Sequence, residues 1–340
     1  MNTQPLVCIC IPNFNNINTI SQTLDSLLGQ TYHNIIIKVI DNMSNDGSWE
    51  IIKVYAEKNA NIHAFQNSEN IGAEANFTEC ILRLEGKYGA IYHADDVYHN
   101  LMVETQVKYL LKNDISAIFV RAKIINEASK NIGEQFFPNE LKESDYYQFD
   151  FKKLFDLILK YDNFLISSSV MARADIYQQQ IKSWNGIAFN TSADLDVWLR
   201  FSLIKDVGLL TQKLISYRLS HSSYTYREKY TRVIPRHMFL VTEYYLDRYK
   251  HLNFKLSNYE YLKFKDNIMV ISNRILNKNS VTPDEIKLLN LKVISRLFFS
   301  RQKIKVYVFA ILLKIGLYFK TNEILLKLIL LVNKPPKSIK

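Results

Sequence analysis

The stretch YGAIYHADD (residues 88–96) places two adjacent aspartates directly after an apolar β-strand. Apolar runs of this kind recur through the first hundred residues and alternate with segments whose apolar side chains have helical spacing. The strands are expected at residues 6–11, 35–40, 62–65 and 88–92, and the helices at 17–28, 49–55 and 73–84. Because the strand runs are continuously apolar, the pattern predicts an α/β fold with a mostly parallel, Rossmann-like sheet flanked by helices.

Acidic side chains stand at two strand ends of this predicted sheet. Asp41 follows the run at 35–40, and Asp95 and Asp96 follow the run at 88–92. Ligands bind at the carboxyl ends of parallel strands, so these acids are expected at one binding edge. Adjacent carboxylates repel each other unless a cation compensates them, and their oxygens suit Mg²⁺ or Mn²⁺. The sequence therefore predicts a divalent metal site, with a turn or a helix cap as the alternative role of the pair.

A second acidic segment, SADLDVWLR (residues 192–200), has the features of a helix start. Ser192 or Asp194 would cap the helix, and Asp196 would pair with Arg200 one turn later. A carboxylate at a helix start beside a nucleotide site can also take a proton from an incoming hydroxyl. Asp194 is therefore a candidate general base, whereas Asp196 and Arg200 are expected to be structural.

The positive charge of the chain is concentrated at its C-terminal end. The 340 residues contain 43 Lys and Arg against 33 Asp and Glu, a net charge of +10. Residues 291–340 hold eleven of these cations and one acid, so the first 290 residues balance, 32 against 32, which argues against a nucleic-acid partner. The tail cations interrupt aliphatic runs at 306–313 and 324–332, and no run reaches the roughly 20 apolar residues of a membrane span. We therefore predict a tail that lies on an anionic membrane surface, with a helical hairpin packed on the body as the alternative.

Compartment and domain organisation follow from simpler features. The three cysteines form no even disulfide framework, which indicates a reducing compartment, and the first residues lack the basic and apolar regions of a secretory signal. The prediction is a cytoplasmic protein, peripherally associated with the inner face of the cell membrane. The mixed strand and helix pattern extends to about residue 230, so we expect a catalytic domain at 1–230 and a helical C-terminal region at 231–340.

Six segments, in this order, resemble motifs of the inverting glycosyltransferases of family 2, which have the GT-A fold. The segments are VCICIPNFNN (7–16), IDNMSNDGS (40–48), NIGAEAN (70–76), HADD (93–96), ADLDVWLR (193–200) and YRLSHSS (217–223). HADD stands where the family has Asp-x-Asp-Asp, and ADLDVWLR is similar to the segment that carries the family's catalytic base. The resemblance covers about residues 5–225 and implies a GT-A-like fold with a C-terminal helical extension.

The resemblance also implies roles for the matching residues. Asp194 would be the general base, and Asp95 would bind Mn²⁺ or Mg²⁺, with His221 near the metal or the diphosphate. The residues expected to contact the nucleotide are Pro12, Phe14, Asn16, Asp41, Asn70, Gly72, Asn76, His93 and Ala94. Asp96 and the loop residues Trp184 and Asn185 are candidates for the acceptor side, and a core position is the alternative for Trp184.

The implied reaction moves one sugar, with inversion, from a nucleotide-diphosphate sugar to an acceptor hydroxyl. UDP is the expected nucleotide, and the acceptor would be a glycan or a lipid-linked glycan in bacterial surface polysaccharide synthesis. The Gln-x-x-Arg-Trp element of processive members is absent from the sequence, which predicts a non-processive enzyme.

Two other functions compete with this reading. His93 and Ala193 replace acids of the family motifs, so a catalytically inactive nucleotide-sugar or lipid-binding relative is the alternative. A sugar-1-phosphate nucleotidyltransferase is disfavoured, because the turn at residues 13–16 has no glycine for a phosphate loop.

Overall fold

A computed structural model describes residues 4–219, 231–290, 301–319 and 321–332. The chain forms two compact units. Unit 1 comprises Met1–Phe155 and Asn163–Arg218, and unit 2 comprises Asp156–Asp162 and Leu219–Lys340. The predicted domain boundary at residue 230 falls outside the described residues and stays a prediction.

Unit 1 is built on one sheet, in which ten strands are described. The strands are β1 (Val7–Asn13), β2 (Ile35–Asp41), β3 (Ile62–Gln66), β4 (Tyr88–Ile91), β5 (Val97–Tyr98), β6 (Ala117–Ile125), β7 (Asn131–Glu134), β8 (Tyr146–Phe149), β9 (Met171–Arg173) and β10 (Val207–Arg218). Their order is β3-β2-β1-β4-β9-β6-β10-β5, with β7 beside β6 and β8 beside β10. The strands β1 to β4 pair in parallel, as do β6 and β10, and the other pairs are antiparallel. The predicted α/β fold with a mostly parallel central sheet is confirmed.

The helices of unit 1 connect these strands. They are α1 (Ile20–Leu28), α2 (Ser48–Lys58), α3 (Ala73–Leu82), α4 (Met102–Lys112), α5 (Phe151–Tyr161), α6 (Ala174–Ile176), α7 (Gly186–Phe189) and α8 (Ala193–Ile204), and α5 continues into unit 2. The three helices predicted in the first hundred residues are confirmed. The first one begins at Ile20 rather than at residue 17, because the Asn16 carbonyl accepts hydrogen bonds from the amides of Thr19 and Ile20 and closes a turn there.

The core of unit 1 lies between the first strands and their helices. In β1, the residues from Val7 to Ile11 have no exposed surface, and Ile9 belongs to one cluster with Leu24 of α1 and Ile37 of β2. Each fully buried aliphatic side chain stabilises the fold by about 1.5–3 kcal/mol relative to exposure, so the apolar runs determine this part of the fold. The segment at residues 126–162 contains β7, β8 and the whole of α5.

The secondary-structure elements described in unit 2 are all helices, as predicted. Its helices are α9 (Met238–Arg248), α10 (Ser257–Leu276), α11 (Pro283–Lys287), α12 (Arg301–Tyr318) and α13 (Asn322–Val332). The two tail helices pack on α10 in one apolar cluster that includes Phe264, Phe309 and Leu325. Gly316 is needed there, since a Cβ on this residue would lie 2.4 Å from the Leu325 side chain. The two tail helices therefore contribute to the core of unit 2. This packing agrees with the alternative prediction of a helical hairpin.

No helix in the described ranges is both long enough and apolar enough to cross a bilayer. This finding agrees with the sequence, in which Lys314, Lys320 and Lys327 interrupt every apolar stretch that approaches about 20 residues.

A buried ion-pair cluster holds unit 2 together at α10. The Asp266 side chain is 1% exposed and lies 2.6 Å from Nη2 of Arg232 and 3.2 Å from Nε of Arg236. The backbone amide of Arg236 donates to the same carboxylate at 3.1 Å, and the Asn273 amide donates to the Arg232 carbonyl at 2.9 Å. These contacts fix the segment before α9 to the middle of α10.

We expect Asp266→Asn to destabilise unit 2 by about 3–5 kcal/mol, because it removes the charge that compensates buried guanidinium groups. Urea unfolding followed by circular dichroism measures this loss. Asp284→Asn is the matched control, since Asp284 pairs with Lys287 in solvent and its loss should cost less than about 1 kcal/mol. Equal effects of the two substitutions would contradict the role assigned to Asp266.

Candidate active site

Three neighbouring parallel strands bring the predicted site residues to one edge of the sheet. Asn13 at the end of β1 stands in register with Asp41 at the end of β2. On its other side β1 pairs with β4, which is followed by the segment from His93 to Asp96. The predicted convergence of acidic residues at one edge is therefore present in the structure.

The Asp41 carboxylate is fully buried and accepts hydrogen bonds from three surrounding segments. Oδ1 accepts from Asn13 Nδ2 at 2.8 Å and from Ser44 Oγ at 2.5 Å, and Oδ2 accepts from the Ser44 amide and Gln66 Nε2, both at 3.0 Å. These bonds tie the turn after β2 to the ends of β1 and β3. The contact of Asp41 with a nucleotide base stays a prediction.

Gln66 was not singled out in the sequence. It ends β3 in register with Asp41, so strand pairing alone identifies it once the sheet order is known.

A chain of asparagine amides shapes the loop between β3 and α3. Asn42 donates to Asn70 Oδ1 at 2.8 Å and accepts from Asn67 at 3.0 Å, and Asn67 donates to Asn76 Oδ1 at 3.0 Å. Asn76 is buried and donates to the Ile40 carbonyl at 3.0 Å. Of the predicted nucleotide contacts, Asn70 and Gly72 lie exposed on this loop, whereas Asn76 holds the loop from beneath.

The turn after β1 presents an exposed aromatic ring. Phe14 is 43% exposed, and Pro12 lies partly buried at the strand end. Asn16 donates to Asn13 Oδ1 at 3.1 Å, and the Ile17 amide donates to the Asp46 carboxylate at 2.9 Å. These bonds order the turn and leave the Phe14 ring free to contact a ligand.

His93, Asp95 and Asp96 form a candidate metal group, because their ligand atoms all lie within 4.8 Å of one another. His93 Nε2 is buried and has no hydrogen-bond partner among the described residues. The Asp95 carboxylate is partly exposed and likewise accepts no hydrogen bond from the part of the chain that the structure describes. An imidazole nitrogen and a carboxylate that are both open for coordination fit Mn²⁺ or Mg²⁺.

Asp96 lies behind this group and is fully buried. Its Oδ1 accepts from the Arg218 amide at 2.8 Å, and its Oδ2 accepts from the Ser168 hydroxyl. Burial, together with the neighbouring charge of Asp95, raises the pKa of Asp96 well above its usual range. The expected position of Asp96 on the acceptor side needs correction, because a residue without exposed surface cannot contact an acceptor.

A buried guanidinium fixes the backbone of the metal group. Arg218 Nε donates to the Asp95 carbonyl at 2.7 Å, and its Nη atoms donate to Gln22 Oε1 at 2.6 Å and to the Asn126 carbonyl at 3.0 Å. The Ala94 carbonyl, which belongs to the same segment, accepts from the hydroxyl groups of Thr19, the residue before α1, and of Thr23 in α1. The segment is thus held from α1, β10 and the turn before β7.

Asp194 is partly exposed at the start of α8. The Leu195 amide donates to its Oδ1 at 2.7 Å, but the burial of the carboxyl group outweighs this bond and raises the pKa of Asp194 to about 6. The predicted capping does not occur, because Ser192 occupies the N-cap position without a side-chain bond to the helix. A carboxylate with a pKa near neutrality suits a general base.

Asp196 has the structural role predicted for it. Its Oδ2 accepts from Arg200 Nε at 2.9 Å, and the other guanidinium nitrogens donate to the carbonyls of Ile181 and Ser183. The pair therefore connects α8 to the loop that precedes α7.

Stacked aromatic rings connect the metal group to α8. The Phe77 ring lies 5.6 Å from the His93 ring and stacks on Trp184 at 4.7 Å, and Trp184 meets Trp198 of α8 edge to face at 5.7 Å. Trp184 is 8% exposed, so the structure supports the core position that the sequence left open. Asn185, next to it, is exposed.

Of the last two predicted site residues, Ala94 and His221, the structure describes only Ala94. Ala94 is buried, and only its carbonyl takes part in the contacts around the metal group. His221 lies outside the described residues, so its predicted position near the metal or the diphosphate stays a prediction.

Among solved structures, the chain resembles S. aureus TarS (residues 1–349) in complex with UDP-GlcNAc. The TM-score is 0.57 with 14% sequence identity, over 94% of this chain and 90% of that one. At this identity the likeness shows a shared fold, that of GT-A glycosyltransferases.

Curated relatives point to the same class of protein. An uncharacterized glycosyltransferase of Methanocaldococcus jannaschii is 27% identical over 64% of this chain and 71% of its own length. A putative teichuronic acid biosynthesis glycosyltransferase of Bacillus subtilis, TuaG, is 27% identical over 35% of this chain and 47% of its own. Residues 8–178 match the family model described as Glycosyl transferase family 2. Since that match covers half of the chain, the protein belongs to glycosyl transferase family 2 and is a transferase.

Proposed function

We propose that the protein transfers one sugar from a nucleotide-diphosphate sugar to an acceptor hydroxyl and inverts the anomeric configuration. One observation carries the proposal. The rings of Phe77, Trp184 and Trp198 join the His93 group to α8, the helix that carries Asp194 in its first turn. A general base and a phosphate-binding group on one rigid aromatic support are the two parts that the transfer requires.

The donor would bind at the carboxyl edge of β1, β2 and β4. Phe14 offers a ring for the base, and the loop with Asn70 and Gly72 offers exposed polar groups beside it. UDP is the nucleotide that we propose, with support from the complex of the fold neighbour TarS with UDP-GlcNAc. Asp41 and Asn76, which are both buried, would position the nucleotide indirectly, through the hydrogen bonds that order the edge.

Asp194 would accept the proton of the acceptor hydroxyl. The residue is partly exposed, and its pKa of about 6 leaves the carboxylate largely ionised at neutral pH while it remains basic enough to take a proton. Removal of that proton makes the hydroxyl oxygen a stronger nucleophile for attack on the anomeric carbon. A one-step displacement of this kind inverts the configuration of the sugar.

Asp95 and His93 would hold a divalent ion, Mn²⁺ or Mg²⁺, and Asp96 would keep Asp95 in place. When bound, such an ion neutralises negative charge on a leaving diphosphate. Arg218 would act through Asp95 and Asp96, since it fixes their backbone and has no exposed guanidinium of its own.

The acceptor that we propose is a glycan or a lipid-linked glycan of a bacterial surface polysaccharide. The likeness to TuaG supports this, as does the apolar and basic tail. The exposed face of the tail helices would associate with the inner face of the cell membrane, while their opposite face packs on α10.

Metal dependence is tested by Asp95→Ala. Transfer should fall by about 10²-fold or more, and EDTA should have the same effect on the unaltered protein. Binding of Mn²⁺, measured by electron paramagnetic resonance without any substrate, should be lost as well. Asp247→Ala, at an exposed site on α9, is the control. Full activity in EDTA would refute the metal assignment.

The role of Asp194 is tested against that of Asp196 in the same helix. Asp194→Asn should lower turnover by about 10²-fold or more while UDP binding persists, because a general base is lost. Asp196→Asn should instead lower the unfolding temperature, because it breaks the pair with Arg200. If the two effects were exchanged, Asp196 would be the base.

The pKa of Asp194 predicts how turnover depends on pH. A base acts only when it is deprotonated, so turnover should rise as the pH increases through about 6 and then level off. A rate profile between pH 4.5 and pH 8 measures this step, which should be absent from the residual activity of Asp194→Asn. If the unaltered protein and the variant gave the same step, another group would be titrating. Donor binding without any hydrolysis or transfer over this range would favour the inactive relative.

Membrane association is tested by substitutions that leave the core between α10 and the two tail helices intact. Ile315→Ser together with Phe319→Ser should weaken sedimentation with vesicles that contain phosphatidylglycerol, because both residues are exposed on α12 or directly after it. The matched control replaces Leu82 and Leu111, which are equally exposed in unit 1, by Ser. Sedimentation should also weaken as salt increases. Equal sedimentation of all three proteins would contradict the proposal.

A further inference from the structure

A groove with a volume of about 540 Å³ lies between α10 and α12 in unit 2. Its walls include Ile268 and Met269 of α10, Val308 and Leu312 of α12, and Leu328 of α13. The volume falls within the range of about 300–1,000 Å³ that is usual for small-ligand sites, which are also mostly apolar. The groove is therefore large enough and apolar enough to hold part of a ligand.

The helix that forms one wall of the groove has apolar residues both in the core and on its exposed surface. Phe309 and Leu313 of α12 are buried in the core with α10. Ile304, Val308 and Leu312, which line the groove, are between 43% and 48% exposed and follow one another at intervals of four residues. A continuous exposed apolar stripe is typical of an interaction site. The stripe is therefore a surface on which an apolar group can bind.

The charged residues of the groove are all cationic and lie near one end. Lys265 and Lys305 line it, and neither has an acidic partner at ion-pair distance in the described parts of the chain. The ring of Tyr261 lies 5.8 Å from the ammonium group of Lys265 and 5.4 Å from that of Lys303, which places the first turn of α12 close to Lys265. Burial and the nearby Arg236 lower the pKa of Lys265, an effect that Asp162 offsets only in part. An anion would relieve this unbalanced positive charge.

The opposite end of the groove differs in character. Ser272 lies seven residues after Lys265 in α10, and Leu312 lies seven residues after Lys305 in α12. Each is therefore about 10 Å from its lysine along the helix axis. Apart from the Ser272 hydroxyl, the lining between the two ends is apolar. The groove therefore has a cationic end and an apolar body, which is the complement of an anionic amphiphile.

We propose that this groove binds one molecule of a phosphate-bearing lipid, with its phosphate on Lys265 and Lys305 and its apolar chain along Met269, Val308 and Leu312. The inference rests on the proposed membrane association and adds a defined lipid site to it. The proposed lipid site does not depend on the transfer reaction, because every residue that lines the groove belongs to unit 2.

A lipid suits the groove better than a protein partner does. The exposed stripe continues past the groove to Ile315 and Phe319, so the mouth of the groove opens on an apolar surface of the kind that lies in a membrane interface. Lipid chains are abundant at that depth, and the phosphates lie just above it, at the level that lysines reach.

The site is tested with the full chain and dodecyl phosphate below its micelle concentration, by isothermal titration calorimetry. One molecule should bind per chain, and dodecyl maltoside and inorganic phosphate should each bind at least about tenfold more weakly. Lys265→Gln combined with Lys305→Gln should weaken binding about tenfold or more. Lys255→Gln combined with Lys327→Gln removes the same charge from exposed sites outside the groove and should change nothing.

A second variant tests the apolar body of the groove. Val308→Trp fills it from an exposed position and should weaken binding of dodecyl phosphate to the same degree, with an unchanged circular dichroism spectrum. Equal binding of dodecyl maltoside, equal binding of inorganic phosphate, or unaltered binding by Val308→Trp would each overturn the proposal. Dimerisation of the chain without binding of dodecyl phosphate would show that a second copy covers the groove. No nucleotide sugar is present in these measurements, so their failure would leave the proposed transfer unaffected.

Discussion

The buried carboxylates of Asp41 and Asp96 impose the main constraint on unit 1, because neither reaches water and each must obtain its hydrogen bonds from the protein. Asp41 obtains them from the ends of β1 and β3 and from its own turn. Asp96 obtains them from β10 and from the turn that carries Ser168. The donors come from segments that are distant in sequence, so the edge of the sheet forms only when all of these segments are in place. The order of the candidate site therefore depends on contacts between segments that are far apart in the chain.

The same constraint separates the two adjacent aspartates of the metal group. Asp96 uses both of its oxygens within the protein, whereas Asp95 is partly exposed and its carboxylate, like Nε2 of His93, has no hydrogen-bond partner among the described residues. Asp96 thus supports the group, and the Asp95 carboxylate remains open to a ligand. His93, which stands where the family has an acid, removes one negative charge from the group and keeps a nitrogen atom that can coordinate a metal.

The sequence predicted the elements whose pattern is local and missed the contacts that depend on strand order. The continuous apolar runs sufficed for β1 to β4, and the resemblance of motifs placed Asp95 and Asp194 in a family site. Gln66, Ser168 and the backbone amide of Arg218 could not be identified in this way, because they reach the site only through pairing between strands and turns that are far apart in the chain. The burial of Asp96 and of Trp184 also depends on this packing, and motif spacing does not report it.

The tail shows how one composition can serve two requirements. Aliphatic runs broken by lysines fit both a membrane surface and a packed hairpin, and the helices of unit 2 show features of each. One part of α12 completes the core through Phe309 and Leu313, and the stripe of Ile304, Val308 and Leu312 is apolar and exposed. Removal of the tail would therefore expose the apolar face of α10 as well as abolish any membrane contact, so truncation cannot separate the two roles. Substitutions confined to the outer face can, because Ile315 and Phe319 lie outside the core cluster that holds the helices together.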